Sequence, residues 1–227
     1  RMAEVGYITY EQAEEAKKKP IITRGEPTTQ PSVAPYFLEE VRKEMEQRYG
    51  AKQLYENGLS IQTGLDIKLQ EAANAALEKE LRRLDKMRGW RMPSRNIVAE
   101  GHKIESFRHA AWDRGIDEGE IVPAVVTSVD ADAITARAGQ LTVTIDKKGF
   151  AWTRRQATQL VKPGDLIEVK IASLKAAERT ATATLEQPPA VQGAVLAIDN
   201  RTGQIRAMVG GSSFERSKFN RATQALR

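Results

Sequence analysis

The side chains able to do chemistry are few and scattered. Among 227 residues there are two histidines, His102 and His109, and no cysteine. Without a thiolate there is no disulfide framework and no sulfur nucleophile. Two histidines with no cysteine or carboxylate at ligand spacing make a poor metal site, so no metal and no cofactor is expected. Absence of cysteine fits any compartment and gives only weak support to an oxidising one. Glu11, Glu14 and Glu15 fall on one short helical stretch and read as exposed helix charges rather than as a general acid. The lysines at 17–19 form a run that could meet anionic lipid, but at a helix end they read as solvated charge that suits the helix dipole.

Nucleic-acid chemistry is no better supported. The net charge of +5 divides unevenly: −1 over residues 1–120, +2 over 121–186 and +4 over 187–227. A fold that grips a nucleic-acid backbone carries a strong basic groove with stacking aromatics. The β-rich stretch 121–186 is only +2, and its aromatics are Phe150 and Trp152. Its charges read as a mixed, solvated surface. Trp90 and Trp112 lie just before it, in a stretch without clear period, and read as anchors of that connection.

The elements that must position these groups form an α+β pattern. Thr9-Tyr-Glu-Gln12 reads as a capping box, and the helix it opens runs to Lys19, where Pro20 stops it. Residues 24–31, rich in Pro, Thr and Gly, read as a linker. Ser32 and Pro35 open a second helix, with Phe37, Leu38, Val41, Met45 and Tyr49 on one face and Gly50 closing it. Leu59-Ser-Ile-Gln-Thr63 alternates like a strand. Asp66 caps a long helix whose apolar stripe is Leu69, Ala73, Ala76, Leu77, Leu81 and Leu84. Residues 121–129, 133–138, 140–145, 166–171 and 180–185 are short alternating or β-branched runs. A helical turn is expected at 152–157, and Lys162-Pro-Gly-Asp165 is a tight turn. Five strands with a short helix between the third and fourth is the layout of an OB-fold, a small closed barrel.

Beyond it, Gly193-Ala-Val-Leu-Ala-Ile-Asp199 and Gln204-Ile-Arg-Ala-Met-Val-Gly210 flank Asn200-Arg-Thr-Gly203 as a hairpin. Both runs are apolar at nearly every position, which predicts a central place in a sheet covered on both faces. The remaining residues cannot supply that sheet's other strands. No apolar run approaches the roughly 20 residues of a membrane span. The start and the stop of the sequence both read as cuts from a longer chain.

The hairpin and the Gly210-Gly211 pair, followed in order by Phe219-Asn-Arg-Ala-Thr-Gln224, resemble the opening of the transpeptidase domain of class A penicillin-binding proteins, and look like the 1A type of Gram-negative bacteria. Gly6-Tyr-Ile-Thr-Tyr-Glu-Gln-Ala13 looks like the last helices of the family's glycosyltransferase domain. Ala34-Pro-Tyr-Phe-Leu-Glu-Glu-Val41 and Gly58-Leu-Ser-Ile-Gln-Thr-Gly-Leu-Asp66 look like the linker into the transpeptidase. The barrel sits where this type carries an OB-like insertion.

The resemblance implies a division of the chain. Residues 1–31 would be the glycosyltransferase tail and linker, 32–88 a linker and the start of the transpeptidase, and 89–120 an irregular connection. Residues 121–186 would be the inserted barrel, and 187–227 the transpeptidase hairpin, ending before the catalytic serine. The family's nucleophile lies in Ser-x-x-Lys, and this sequence contains neither that motif nor Lys-Thr-Gly or Lys-Ser-Gly. Ser94-Arg-Asn96 matches the family's Ser-x-Asn by letters only, since it precedes the place of the nucleophile. No catalytic, cofactor or metal residue is carried over.

The resemblance therefore implies a non-catalytic central segment of a bifunctional cell-wall synthase. Such a synthase works at the periplasmic face of the bacterial inner membrane, shapes the cell and bears on β-lactam resistance. Its glycan and β-lactam chemistry would lie outside this segment. The barrel would dock a periplasmic regulatory protein or the glycan, and no nucleic acid. A free-standing OB module for oligonucleotide or oligosaccharide, or a spacer that binds nothing, are the alternatives.

Overall fold

A computed structural model describes residues 1–18 and 32–226. The expected linker at 24–31 and the stop at Pro20 lie outside the described residues. Helix α1 (Tyr10–Lys18) begins with the reciprocal cap: Thr9 N donates to Gln12 Oε1 at 2.9 Å, and Gln12 N donates to Thr9 Oγ1 at 3.2 Å.

Helix α2 (Pro35–Glu56) has proline in its first turn and is broken at Gly50, both as expected. Gly50 adopts the non-helical φ 80 and ψ 157, which closes the first helical stretch, and a second, short one begins beyond it. Glycine tolerates that one positive φ, and Ala51-Lys52-Gln53-Leu54 are good helix formers that restart the ladder. The buried side chains are Tyr36 and Phe37, whereas Leu38 and Tyr49 face solvent.

The alternation at 59–63 does not become a strand, and Leu59 and Ile61 stay exposed. A strand needs a free edge, and the one nearby is taken. Strands β6 (Val195–Ile198) and β7 (Ile205–Val209) form the expected antiparallel hairpin. Its turn is an Asx turn: the Asp199 carboxylate accepts from the Arg201 and Thr202 amides, and Gly203 turns at φ 73. The outer rungs of β7 are closed by groups that are not a strand. Asp66 N donates to Arg206 O at 2.9 Å, and Arg221 N donates to Gly210 O at 3.0 Å. Between them Met208 N donates to Gln70 Oε1 at 2.8 Å, and Gln70 Nε2 donates to Met208 O at 3.1 Å. The open edge of this two-stranded sheet is therefore that of β6.

Gln70 belongs to helix α3 (Ile67–Met87), capped by Asp66, whose carboxylate accepts from Leu69 N at 3.1 Å. Ala73 and Leu77 pack on Ala207, Val209 and Val195, so α3 and the hairpin are direct neighbours across more than a hundred residues of sequence. The apolar stripe is shifted from the expected one. Ala73, Leu77 and Leu81 face inward, but Leu69, Ala76 and Leu84 are exposed. Fully buried Gln70 and Asp85 complete the inner face. Two polar letters at core positions hide that face from a hydrophobic count. Strand β7 is covered on both faces, Ala207 and Val209 by α3 and Met208 by Phe37 of α2, whereas Leu196 and Ile198 of β6 are 42% and 53% exposed. Among the described residues the expected two-sided cover is met at β7 and missing at β6.

The barrel closes in the order β1-β2-β3-β5-β4, with β1 (Ile121–Val129), β2 (Ala133–Ala138), β3 (Leu141–Asp146), β4 (Leu166–Lys175) and β5 (Thr180–Glu186). All neighbours are antiparallel except β3 and β5. Alternate residues such as Ile134, Val143, Ile145, Val169 and Leu185 fill the interior. Bulges in β1 after Val126 and in β4 after Ile171 provide the bending that closure needs. The helix between the third and fourth strands starts earlier than expected. It is α4 (Lys147–Phe150), because the Asp146 carboxylate accepts from Gly149 N at 2.8 Å and caps it there. Phe150 and Leu160 then plug the barrel, and the turn at Lys162–Asp165 forms as expected, with Gly164 at φ 87.

The stretch before the barrel is irregular but not separate from it. Trp90 is buried among the barrel's core side chains, its Nε1 donating to Leu160 O at 3.0 Å, and Ile97 is fully buried. Ile97 N donates to Gly164 O, and Leu166 N to Arg95 O. The barrel's two ends lie together, since Ile171 N of β4 donates to Glu120 O while Glu168 of β4 pairs with Glu186. An insert whose ends meet can be accommodated without disturbing its host. A fragment of residues 90–191 should therefore unfold in one cooperative transition. A fragment of 120–186, lacking Trp90 and Ile97, should be weaker by about 3 kcal/mol or more, the scale of losing a buried tryptophan. Urea denaturation of both fragments, followed by circular dichroism, checks this; equal midpoints and slopes would contradict the assignment of Trp90 to the barrel core.

Candidate functional site

The residues singled out by type end in structural work. His102 packs on Phe107 with ring centres 5.7 Å apart, and His109 on Trp112 at 5.8 Å. His109 Nδ1 also accepts from Ala111 N at 3.1 Å, which caps the turn at Ala110–Trp112. Glu14 pairs with Lys17 at 2.6 Å on an exposed helix surface. Asn96 of the Ser-x-Asn look-alike donates to Asp165 Oδ1 and Pro163 O and accepts from Ala99 N, so it holds a turn against the barrel. The expected anchoring tryptophans do anchor. Trp112 Nε1 donates to Pro123 O at 2.7 Å, and Trp90 meets Trp152 edge to face at 5.8 Å.

Two clusters remain, and composition flagged neither. The first is the seam between α3 and the barrel. Arg82 Nη1 donates to Glu168 Oε2 at 2.7 Å and to Gln187 O at 3.0 Å. Lys86 pairs with Glu186 and lies over the Trp152 ring at 5.3 Å. Asp85, with its side chain 1% exposed, accepts from Ala190 N at 2.9 Å and Gln187 Nε2 at 2.8 Å, and pairs with Arg91 at 2.7 Å. Burial works to raise the Asp85 pKa, but the Ala190 amide, Arg91 and Gln187 together hold it below the ordinary carboxylate range. Leu77, Leu81 and Asp85 succeed one another four residues apart. That spacing was the one available hint that Asp85 faces inward.

The second cluster is a half-open cleft of about 710 Å³ at the turn between β2 and β3. One wall is the barrel, at Arg137 to Leu141 and the loop after β4; the other is the segment 105–116. Phe107 meets Trp112 edge to face at 5.8 Å, and the Arg137 guanidinium lies over Trp112 at 5.0 Å. Arg137 ties the segment down through carbonyls: Nη2 donates to Ile104 O at 2.6 Å and Phe107 O at 2.7 Å, and Nη1 to Gly139 O at 2.7 Å. Its Nε is buried without a partner. Burial pulls the Arg137 pKa down, and Glu105, acting without contact, pushes it back up. Nothing in the spacing of the sequence marks Arg137; it is one outward position of a short strand.

With this geometry in hand, comparison with known proteins agrees on one family. Residues 90–191 match the family model of the penicillin-binding protein OB-like domain. That range begins at the Trp90 found in the barrel core. Over the whole chain, penicillin-binding protein 1A of Rickettsia bellii is 34% identical across 229 residues, and that of Escherichia coli 32% across 249. The chain spans 28% of the length of each of these curated relatives. The crystal structure of penicillin-binding protein 1A from Haemophilus influenzae superposes with a TM-score of 0.66 at 27% identity, covering all of this chain and 32% of that one. The chain belongs to the class A penicillin-binding proteins. Within them it is an α+β segment of the 1A type, built around the OB-like barrel.

The seam should weaken in acid. A carboxyl whose folded pKa is depressed contributes stability above its unfolded value, about 3.9 for Asp, and loses it as pH falls through the folded value. Asp85→Asn should therefore be less stable than the parent at neutral pH, by about 1–3 kcal/mol for the orphaned donors of Gln187 and Ala190. The gap between the two should narrow as pH drops below about 4. Thermal unfolding of both proteins across that range reads this directly; a gap independent of pH would remove Asp85 from the account.

Proposed function

We propose that this chain is the non-catalytic central segment of a bifunctional peptidoglycan synthase. The parent polymerises the lipid-linked glycan precursor with one domain and crosslinks stem peptides with a serine transpeptidase, at the periplasmic face of the inner membrane. Residues 1–31 are the tail of the first domain and linker, and 32–88 lead into the second. Residues 89–120 connect to the barrel at 121–186, and 187–227 return to the transpeptidase before its nucleophile. Substrate and β-lactam chemistry belongs to the parent's other parts. The barrel docks a regulatory protein or the glycan.

One observation carries this reading. The β6–β7 hairpin is held at β7 by α3 on one face and α2 on the other, yet it leaves Leu196 and Ile198 of β6 bare and the edge of β6 open. Such a hairpin is the start of a larger sheet. In the family resemblance it is the start of the transpeptidase, and the missing Ser-x-x-Lys lies farther along.

The reading is tested with a fluorescent penicillin. Acylation requires an activated nucleophile, so the 227-residue chain should form no covalent adduct, while a chain extended through the Ser-x-x-Lys of its parent should. Intact-mass spectrometry of both gives the answer, and an adduct on the shorter chain would refute it.

A further inference from the structure

We propose that the cleft between the segment 105–116 and the β2–β3 turn binds a glycan carrying spaced carboxylates. This rests on the reading that the barrel docks a cell-wall ligand, and it names the surface and the ligand class. The place comes first. OB-folds take oligosaccharides and oligonucleotides on the β2–β3 face beside the loop joining β4 to β5. The cleft lies at one end of that face, bounded by the β2–β3 turn and by Leu174 and Ala176 at that loop. At about 710 Å³ it has the size of a small-ligand site.

The chemistry of the walls narrows the class. Phe107 and Trp112 give rigid apolar faces against which the C–H side of a sugar ring packs. Trp112 is fixed by its bond to Pro123 O and by Arg137 above it. Arg108 and Arg114 are exposed and line the same space, and among the described residues neither forms an ion pair with a carboxylate, whereas Arg137 is already committed to backbone carbonyls. An unpaired guanidinium beside a cleft offers a planar fork that matches a carboxylate. Glu105 and Asp113 also line the cleft, so its potential is moderate and broken by negative charge. A nucleic acid, with a phosphate on every unit, needs a continuous basic track. A glycan in which neutral sugars alternate with carboxylate-bearing ones does not: each carboxylate meets an arginine, and the neutral unit between passes the acidic groups.

The test uses the 227-residue chain and follows tryptophan fluorescence and calorimetric heat. The probes are a tetrasaccharide of alternating N-acetylglucosamine and N-acetylmuramic acid, a tetramer of N-acetylglucosamine alone, a short oligothymidylate and an oligoglutamate peptide. The first should bind, and the neutral tetramer about tenfold or more weakly, the worth of one charge-assisted contact. The doubly substituted Arg108→Ala, Arg114→Ala protein should lose the same factor. Both arginines are exposed, so the fold survives, and an unchanged melting curve confirms that. Equal binding of the two glycans overturns the proposal, as does tighter binding of the oligothymidylate or the oligoglutamate. Binding of the carboxylated glycan that the double substitution leaves unchanged overturns this cleft but keeps a glycan-docking barrel. No glycan binding at all overturns both.

Discussion

A buried backbone donor or acceptor has to find a partner, and in this molecule helix α3 meets that demand at two distant places. Near its start, the Gln70 amide takes both the N–H and the C=O of Met208 and stands in for a strand along the edge of β7. Near its end, the Asp85 carboxylate takes the Ala190 amide and the Gln187 side chain where the chain leaves the barrel. The two contacts are roughly 22 Å apart along the axis at about 1.5 Å per residue. One helix thus holds the β6–β7 hairpin with one end and the barrel with the other. An apolar helix face alone would tolerate sliding or rotation by a small angle. Two directional hydrogen-bonding groups at fixed spacing do not, because any slip leaves buried polar atoms unpaired.

The same constraint explains the sheet. With Arg206, Met208 and Gly210 closed along the outer side of β7, further strands can be added only at β6. This is also why residues 59–63, despite their alternation, remain outside the sheet. A row of unpaired backbone groups invites association, and among the described residues of this two-stranded sheet only the β6 row is left open.

The barrel solves its edge problem by closure and then has a different one: its ends must be sealed. Phe150 and Leu160 fill one opening, with Trp90 arriving from the preceding segment to complete the plug. At the β2–β3 turn one cation bonds two carbonyls of the segment 104–107 and the Gly139 carbonyl of the turn itself. A guanidinium in that role is expensive to bury, and it is retained where an aliphatic chain would pack more simply. The outcome is a fixed aromatic wall beside a charged cleft, rather than a smooth barrel surface.

Much of this was written locally. Thr9 with Gln12, Asp66 before its helix, Asp199 with Gly203, and the strand alternation from 133 to 185 each depend on neighbours a few residues away, so the sequence alone determined the caps, the hairpin and the barrel. The ordered motifs of the hairpin and of Phe219-Asn-Arg-Ala-Thr-Gln224 also made the family legible. Long-range pairing decided the rest. Gln70 and Asp85 read as surface letters until Met208 and Ala190 are brought against them. Leu59 and Ile61 read as a strand until its edge proves occupied. Arg137 reads as solvent-facing until residues 104–107 fold over it. In each of these cases the deciding partner lies far along the chain or depends on which edge is free. A one-dimensional pattern records what a residue prefers, whereas burial and hydrogen-bond satisfaction depend on what the folded chain places beside it.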